Sequence, residues 1–147
     1  MHGKLFMCLL LGVTLLDKRA ESQGDQTEVI ISLFATDLNG CDALSACDAF
    51  VKILCSTASY DWRNCGQTRE MTDDNFPVWP ERFTFQYTQS ERMRWRFDVI
   101  DKDVLFDDPI GSVSVVVEEF LNATEVQSTV RYDLNGRGSF FVHRRRL

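Results

Sequence analysis

The segment RMRWRFDVIDKDVLFDDPIG, residues 92–111, changes character half-way along. In its first part Met93, Trp95, Phe97 and Val99 fall on one side of an extended chain, and Arg94, Arg96 and Asp98 on the other. A period of two with large apolar side chains on one side predicts a strand with one buried face. From Asp101 the pattern gives way to acids, Asp101, Asp103, Asp107 and Asp108, set around the apolar tripeptide Val104-Leu105-Phe106. The strand therefore leads into an acidic loop with a greasy tip.

Strand-like runs continue on both sides of this segment. TEVIISLF (27–34), AFVKILC (49–55), RFTFQY (82–87), SVSVVV (112–117), STVRYDL (128–134) and SFFVHR (139–144) are rich in β-branched or aromatic residues. The last two are joined by the turn signal NGRG. A weaker strand around Gln67–Met71 brings the count to eight, and VEEFLNATE (117–125) predicts one helical turn. Eight short strands separated by turn signals predict a single all-β domain, an antiparallel β-sandwich. Three acidic loops, residues 37–48, 71–76 and 101–108, converge on one end if the strands alternate up and down. Trp79 and Trp95 are expected in the core.

The chain has 147 residues. Its start, with His2 and Lys4 before the apolar run LFMCLLLGVTLL (5–16), reads as a secretory signal cleaved after Ser22, with a cut after Ala20 as the alternative. The run is about half the ~20 residues needed to span a bilayer. Residues 23–147 then form the mature domain, with Cys41, Cys47, Cys55 and Cys65 as two disulfides. Three pairings are open; proximity favours Cys41–Cys47 with Cys55–Cys65. Asn122-Ala123-Thr124 is a glycosylation sequon. Removal of residues 1–22 leaves 13 basic against 20 acidic side chains, a net charge of −7. Such a balance gives no general attraction for nucleic acid. The basic end, residues 144–146, reads equally as a solubilising tail or as a contact for anionic lipid.

The runs DAFVKIL, FPVWPERFTF, RWRFDVIDKD and DDPIG resemble, in order and spacing, the C2 domain family. The likeness covers residues 27–143. Asn75-Phe76-Pro77-Val78-Trp79 carries one residue more than the family's Asn-Pro-Val-Trp, and the last acidic loop is one residue short. The apolar tip is similar to that of the cytosolic phospholipase type of C2 domain, and the secreted setting to the C2 domain of perforin-like proteins. The resemblance implies an eight-stranded sandwich of type II topology. It also implies Ca²⁺ held between loops at one end and docking on phospholipid.

Ca²⁺ takes six to eight oxygen ligands, more than any one short loop offers here. Asp42 and Asp48 from the first loop and Asp101 and Asp103 from the last are the expected carboxylates, with Asp73 a weaker candidate. Either Asp107 or Asp108 completes the set: family spacing before Ile110-Gly111 favours Asp108, while the shortened loop leaves Asp107 open. Asp37, Asp61 and Asp133 read as ordinary turn residues. Val104, Leu105 and Phe106 are the expected membrane-inserting tip.

The expectation is therefore a secreted, monomeric, non-enzymatic module that becomes peripheral to membranes when Ca²⁺ is bound. Residues 23–147 contain a single histidine, His143, and no nucleophile elbow, phosphate loop or zinc spacing. The rival reading is a calcium-independent protein-interaction module that uses the same loop end, with its partner unspecified.

Overall fold

The computed structural model describes residues 26–41, 45–58 and 61–146; the expected signal segment and Asp42 lie outside them. Eight strands appear: β1 (Gln26–Thr36), β2 (Ala49–Ser56), β3 (Arg63–Gln67), β4 (Val78–Thr88), β5 (Arg94–Asp101), β6 (Asp108–Val116), β7 (Thr129–Asp133) and β8 (Ser139–Arg145). One short helix, α1 (Val117–Ala123), links β6 to β7 where a helical turn was expected. The strands form two four-stranded sheets, ordered β4-β1-β8-β7 and β3-β2-β5-β6. Every pairing is antiparallel. The order β4-β1-β8-β7, with β1 between β4 and β8, is the permuted, type II order that the resemblance implied.

Alternation builds the core. β5 turns Trp95, Phe97 and Val99 inward, β1 contributes Val29, Ile31 and Leu33, and β8 contributes Phe140 and Val142, all essentially inaccessible. Trp95 packs on Phe85, Phe97 and Phe120, with ring centroids 4.8, 6.1 and 5.5 Å away. Trp79 is buried as expected, and its indole N–H donates to the Ala49 carbonyl (3.1 Å).

The weak strand expected at Gln67–Met71 is displaced to Arg63–Gln67. Within 67–71, Gln67 closes β3 opposite Lys52, Thr68 N–H donates to the Val51 carbonyl (3.0 Å), and Met71 forms an isolated bridge to Ala49. The buried Thr68 hydroxyl accepts from Val51 N–H (2.9 Å) and donates to the Arg69 carbonyl (2.9 Å), which draws this stretch off the ladder. β3 itself is polar and exposed, and a disulfide ties its Cys65 to Cys55 of β2. The other bridge is Cys41–Cys47. These are the pairings that proximity favours. In the chain-entropy model, loops this short are worth roughly 2–3 kcal/mol each.

The arginines at the C-terminal end are not a loose tail. β8 runs to Arg145. Arg144 donates to the Leu121 carbonyl (3.4 Å) and the Thr124 hydroxyl (3.3 Å), and Arg146 to the Thr124 (3.1 Å) and Glu125 (2.6 Å) carbonyls. Cations beside the last carbonyls of a helix are favourably placed.

The β7–β8 turn abuts the end of β1. Gly138 has φ +121°, and a Cβ there would sit 2.8 Å from the Thr36 carbonyl oxygen. Gly136 also has positive φ, +78°, but with open space around it. Gly136→Ala should therefore cost about 1–2 kcal/mol of backbone strain alone, and Gly138→Ala distinctly more. Denaturant midpoints check this; equal losses would contradict the close approach at Gly138.

Candidate metal centre

The inward row of β5, Trp95, Phe97 and Val99, ends on a carboxylate. Asp101 is only 4% exposed. In the sheet register Ala49, Asp101 and Asp108 lie side by side on β2, β5 and β6. Directly opposed residues of an antiparallel pair share a face, so Asp101 and Asp108 present their charges together.

The three acidic loops meet here. Asp101 Oδ1 accepts from Asp48 N–H (2.7 Å), and Lys102 N–H donates to the Asp48 carbonyl (3.0 Å). Asp48 Oδ1 accepts from Asp73 N–H (2.6 Å), and Asp73 Oδ1 from Ala46 N–H (3.1 Å). Asn75 Oδ1 accepts from Cys47 N–H (3.0 Å), and Asp74 N–H donates to the Cys47 carbonyl (2.9 Å). Asp48, Asp73 and Asp101 thus lock the loops together through backbone donors. The Cys41–Cys47 bridge packs within 4.8 Å of the Asp101 carboxylate. Its sulfurs are joined to each other and offer no thiolate.

Asp103 and Asp108 line a pocket with Val104, Leu105 and Phe106. Asp107 is occupied differently, in an ion pair with Lys102 (3.0 Å). That pair is partly exposed and worth at most about 1 kcal/mol. The tip projects fully: Leu105 is 84% and Phe106 82% exposed, and Val104 is wholly so. None of the three folds back into the sandwich.

The sequence reading missed two residues at this pole. Asn75 braces the first loop, and Phe76 stands 58% exposed on the middle loop after its N–H donates to Asp74 Oδ1 (2.7 Å). Phe76 is the extra residue in Asn75-Phe76-Pro77-Val78-Trp79, and that insertion was the available signal.

The family model for the C2 domain matches residues 27–132. The chain belongs to the C2 domain family. Structures of similar fold include a single C2 domain from a plant extended synaptotagmin 1 (18% identity, 80% of this chain and 91% of that one, TM-score 0.62). Another is a human cytosolic phospholipase A2 of type GIVD solved with terbium chloride (24% identity, 83% of this chain, 18% of that one, TM-score 0.62). A third is a calcium-bound structure of two C2 domains of extended synaptotagmin 2 (18% identity, 80% and 45% coverage, TM-score 0.58). None of the curated proteins matches the sequence. C2 domains are binding modules, typically calcium-dependent and membrane-directed in relatives; the likeness to the phospholipase lies within 18% of that enzyme's chain.

Within this C2 domain the donor set suits a hard cation, because Asp48, Asp73, Asn75, Asp101, Asp103 and Asp108 all offer oxygen. Asp101 and Asp108, opposed without a cation, repel each other. In chelator, Asp108→Asn should leave stability unchanged or raise it. Asp101→Ala should lower it by about 1–3 kcal/mol, since it strands a loop N–H. Thermal denaturation of the two variants tests the arrangement, and matching losses would refute it.

Proposed function

We propose that this C2 domain is a secreted, calcium-dependent phospholipid-binding module. The observation that carries the reading is an exposed apolar tip rising directly from a pole where three acidic loops are laced together. Asp48, Asp101, Asp103 and Asp108 would hold the ion, with Asp73 beside them, Asp107 held by Lys102, and Asp42 on the same first loop. Bound Ca²⁺ would supply positive charge and open coordination positions for lipid phosphate. With a net charge of −6 on the whole chain, an unneutralised acidic pole repels an anionic bilayer.

The remaining work belongs to the side chains. Burying Val104, Leu105 and Phe106 in the interface offers roughly 1.5–3 kcal/mol each. Stable anchoring needs a second signal beyond one apolar insertion, and the metal-held charge is that signal. The hydrogen bonds among Asp48, Asp73 and Asp101 reduce the ordering cost, because the loops are already set.

Secretion follows in the same reading, with residues 1–22 removed and Asn122 carrying a glycan. Asn122 is exposed on α1, which joins the ends of β6 and β7 opposite the acidic loops, so a glycan there leaves docking unobstructed. Thr124 of the sequon is buried and its hydroxyl donates to the Phe120 carbonyl (2.8 Å). Sugar transfer must therefore precede folding.

Sedimentation with phosphatidylcholine/phosphatidylserine vesicles is the decisive measurement. Wild type should pellet at millimolar Ca²⁺ and not in EDTA, and Phe106→Asp and Asp101→Asn/Asp103→Asn should each weaken pelleting at least tenfold. Pelleting indifferent to EDTA would sink the metal role; none under either condition would favour a protein partner at the same tip. Protein from the medium of expressing cells should begin at Gln23, and glycosidase should shift its mobility but not that of Asn122→Gln.

A further inference from the structure

The outer face of the β4-β1-β8-β7 sheet carries a concentration of positive charge remote from the acidic loops. In the sheet register, Arg82, Ser32 and His143 form one row across β4, β1 and β8, and Thr84, Ile30 and Arg145 form the next. A pocket of about 410 Å³ opens between them, lined by Ile30, Arg82, Thr84, His143, Arg145 and Arg146. Two strand spacings put β4 and β8 about 10 Å apart, so long side chains from both strands can close on one small group over β1.

The donors differ in how they are engaged. The Arg146 guanidinium is committed to the Thr124 and Glu125 carbonyls, and His143 Nδ1 is bonded to the Thr129 hydroxyl (2.8 Å). Arg82 and Arg145 have no ion pair and no side-chain hydrogen bond among the described residues. The acid nearest in register is Glu28, one row further along β1, and it accepts from Gln86 (3.3 Å). Arg82 is exposed and Arg145 half-buried, so two uncommitted guanidiniums border one pocket and are open to an anionic ligand. The guanidinium fork matches a tetrahedral oxyanion and binds it with two parallel N–H donors.

We propose that Arg82 and Arg145 form a second ligand site, distinct from the acidic pole, that takes a phosphate or sulfate group carried by a soluble ligand. Position separates it from the bilayer. Ile30 lies six residues before Thr36, where β1 reaches the acidic loops, a distance of roughly 20 Å. A membrane met by the Phe106 tip does not reach this face when the sandwich stands upright on it. The module then has two independent contacts, one with lipid and one with a soluble anionic ligand.

The test uses the folded domain in EDTA, so that the acidic pole plays no part. Pyrophosphate and a sulfated heparin hexasaccharide are titrated separately, with backbone amide shifts as readout. The amides of Ile30, Ser32 and Thr84 should move, and Arg82→Ser/Arg145→Ser should weaken binding at least tenfold. Arg131→Ser, on the same face but bonded to Ser139 (2.9 Å), should bind like wild type. Should the double variant fold poorly, Thr84→Asp introduces a negative charge into the pocket and should abolish binding. Phosphatidylinositol 4-phosphate vesicles form the competing arm. No movement at these amides with either soluble probe, unaltered binding by a folded variant, or capture of the vesicles alone would overturn the proposal. None of these outcomes bears on Ca²⁺-dependent pelleting.

Discussion

A carboxylate at the end of a core-facing row sets the terms for the rest of this molecule. The alternation that drives Trp95, Phe97 and Val99 into the sandwich must, two residues later, drive Asp101 the same way. A nearly buried acid needs donors, and the backbone of the first acidic loop supplies one through Asp48 N–H. Asp48 in turn accepts from Asp73 N–H, which draws in the middle loop. The loops converge because satisfying one inward-pointing acid recruits the next. The Cys41–Cys47 bridge lies against that acid and restricts the loop that serves it.

Most of the sandwich was legible because its strands alternate cleanly, and a buried face leaves a period of two in the sequence. β3 was not, because Arg-Asn-Cys-Gly-Gln is an exposed edge strand with no apolar face to write such a period. Its place is set by a disulfide and by pairing with β2. The choice between Asp107 and Asp108 was equally hidden. What the sequence does not show is a register irregularity between Val99 and Ile100, without which Pro109 would stand opposite Asp101 and with which Asp108 does, while Asp107 pairs with Lys102. The exposed tip was legible, since three apolar residues among acids have no core position to fill. The basic pocket was not: Arg82 and Arg145 are brought together only by the pairing of β4, β1 and β8.

Charge is unevenly distributed over the surface. Acids gather at the loop pole, while guanidiniums gather on one sheet face and around the end of α1. Arg144 and Arg146 are used structurally, at helix carbonyls, and Arg96 is held by Asp98 (3.1 Å) and lies over the Trp62 ring at 5.3 Å.

The stapling of β3 to β2 also bears on how the protein behaves when crowded. An outermost strand offers unpaired backbone groups that a neighbouring chain can extend into a shared sheet. Here that strand is five residues long, charged and polar, kinked where the register slips between Ile53 and Leu54, and covalently tied to its neighbour. It makes a poor template for fibril growth. With the bridge cut, the short polar strand is free to peel away and bare the long apolar β2 behind it, so reducing conditions carry a hazard of self-association out of proportion to the stability lost.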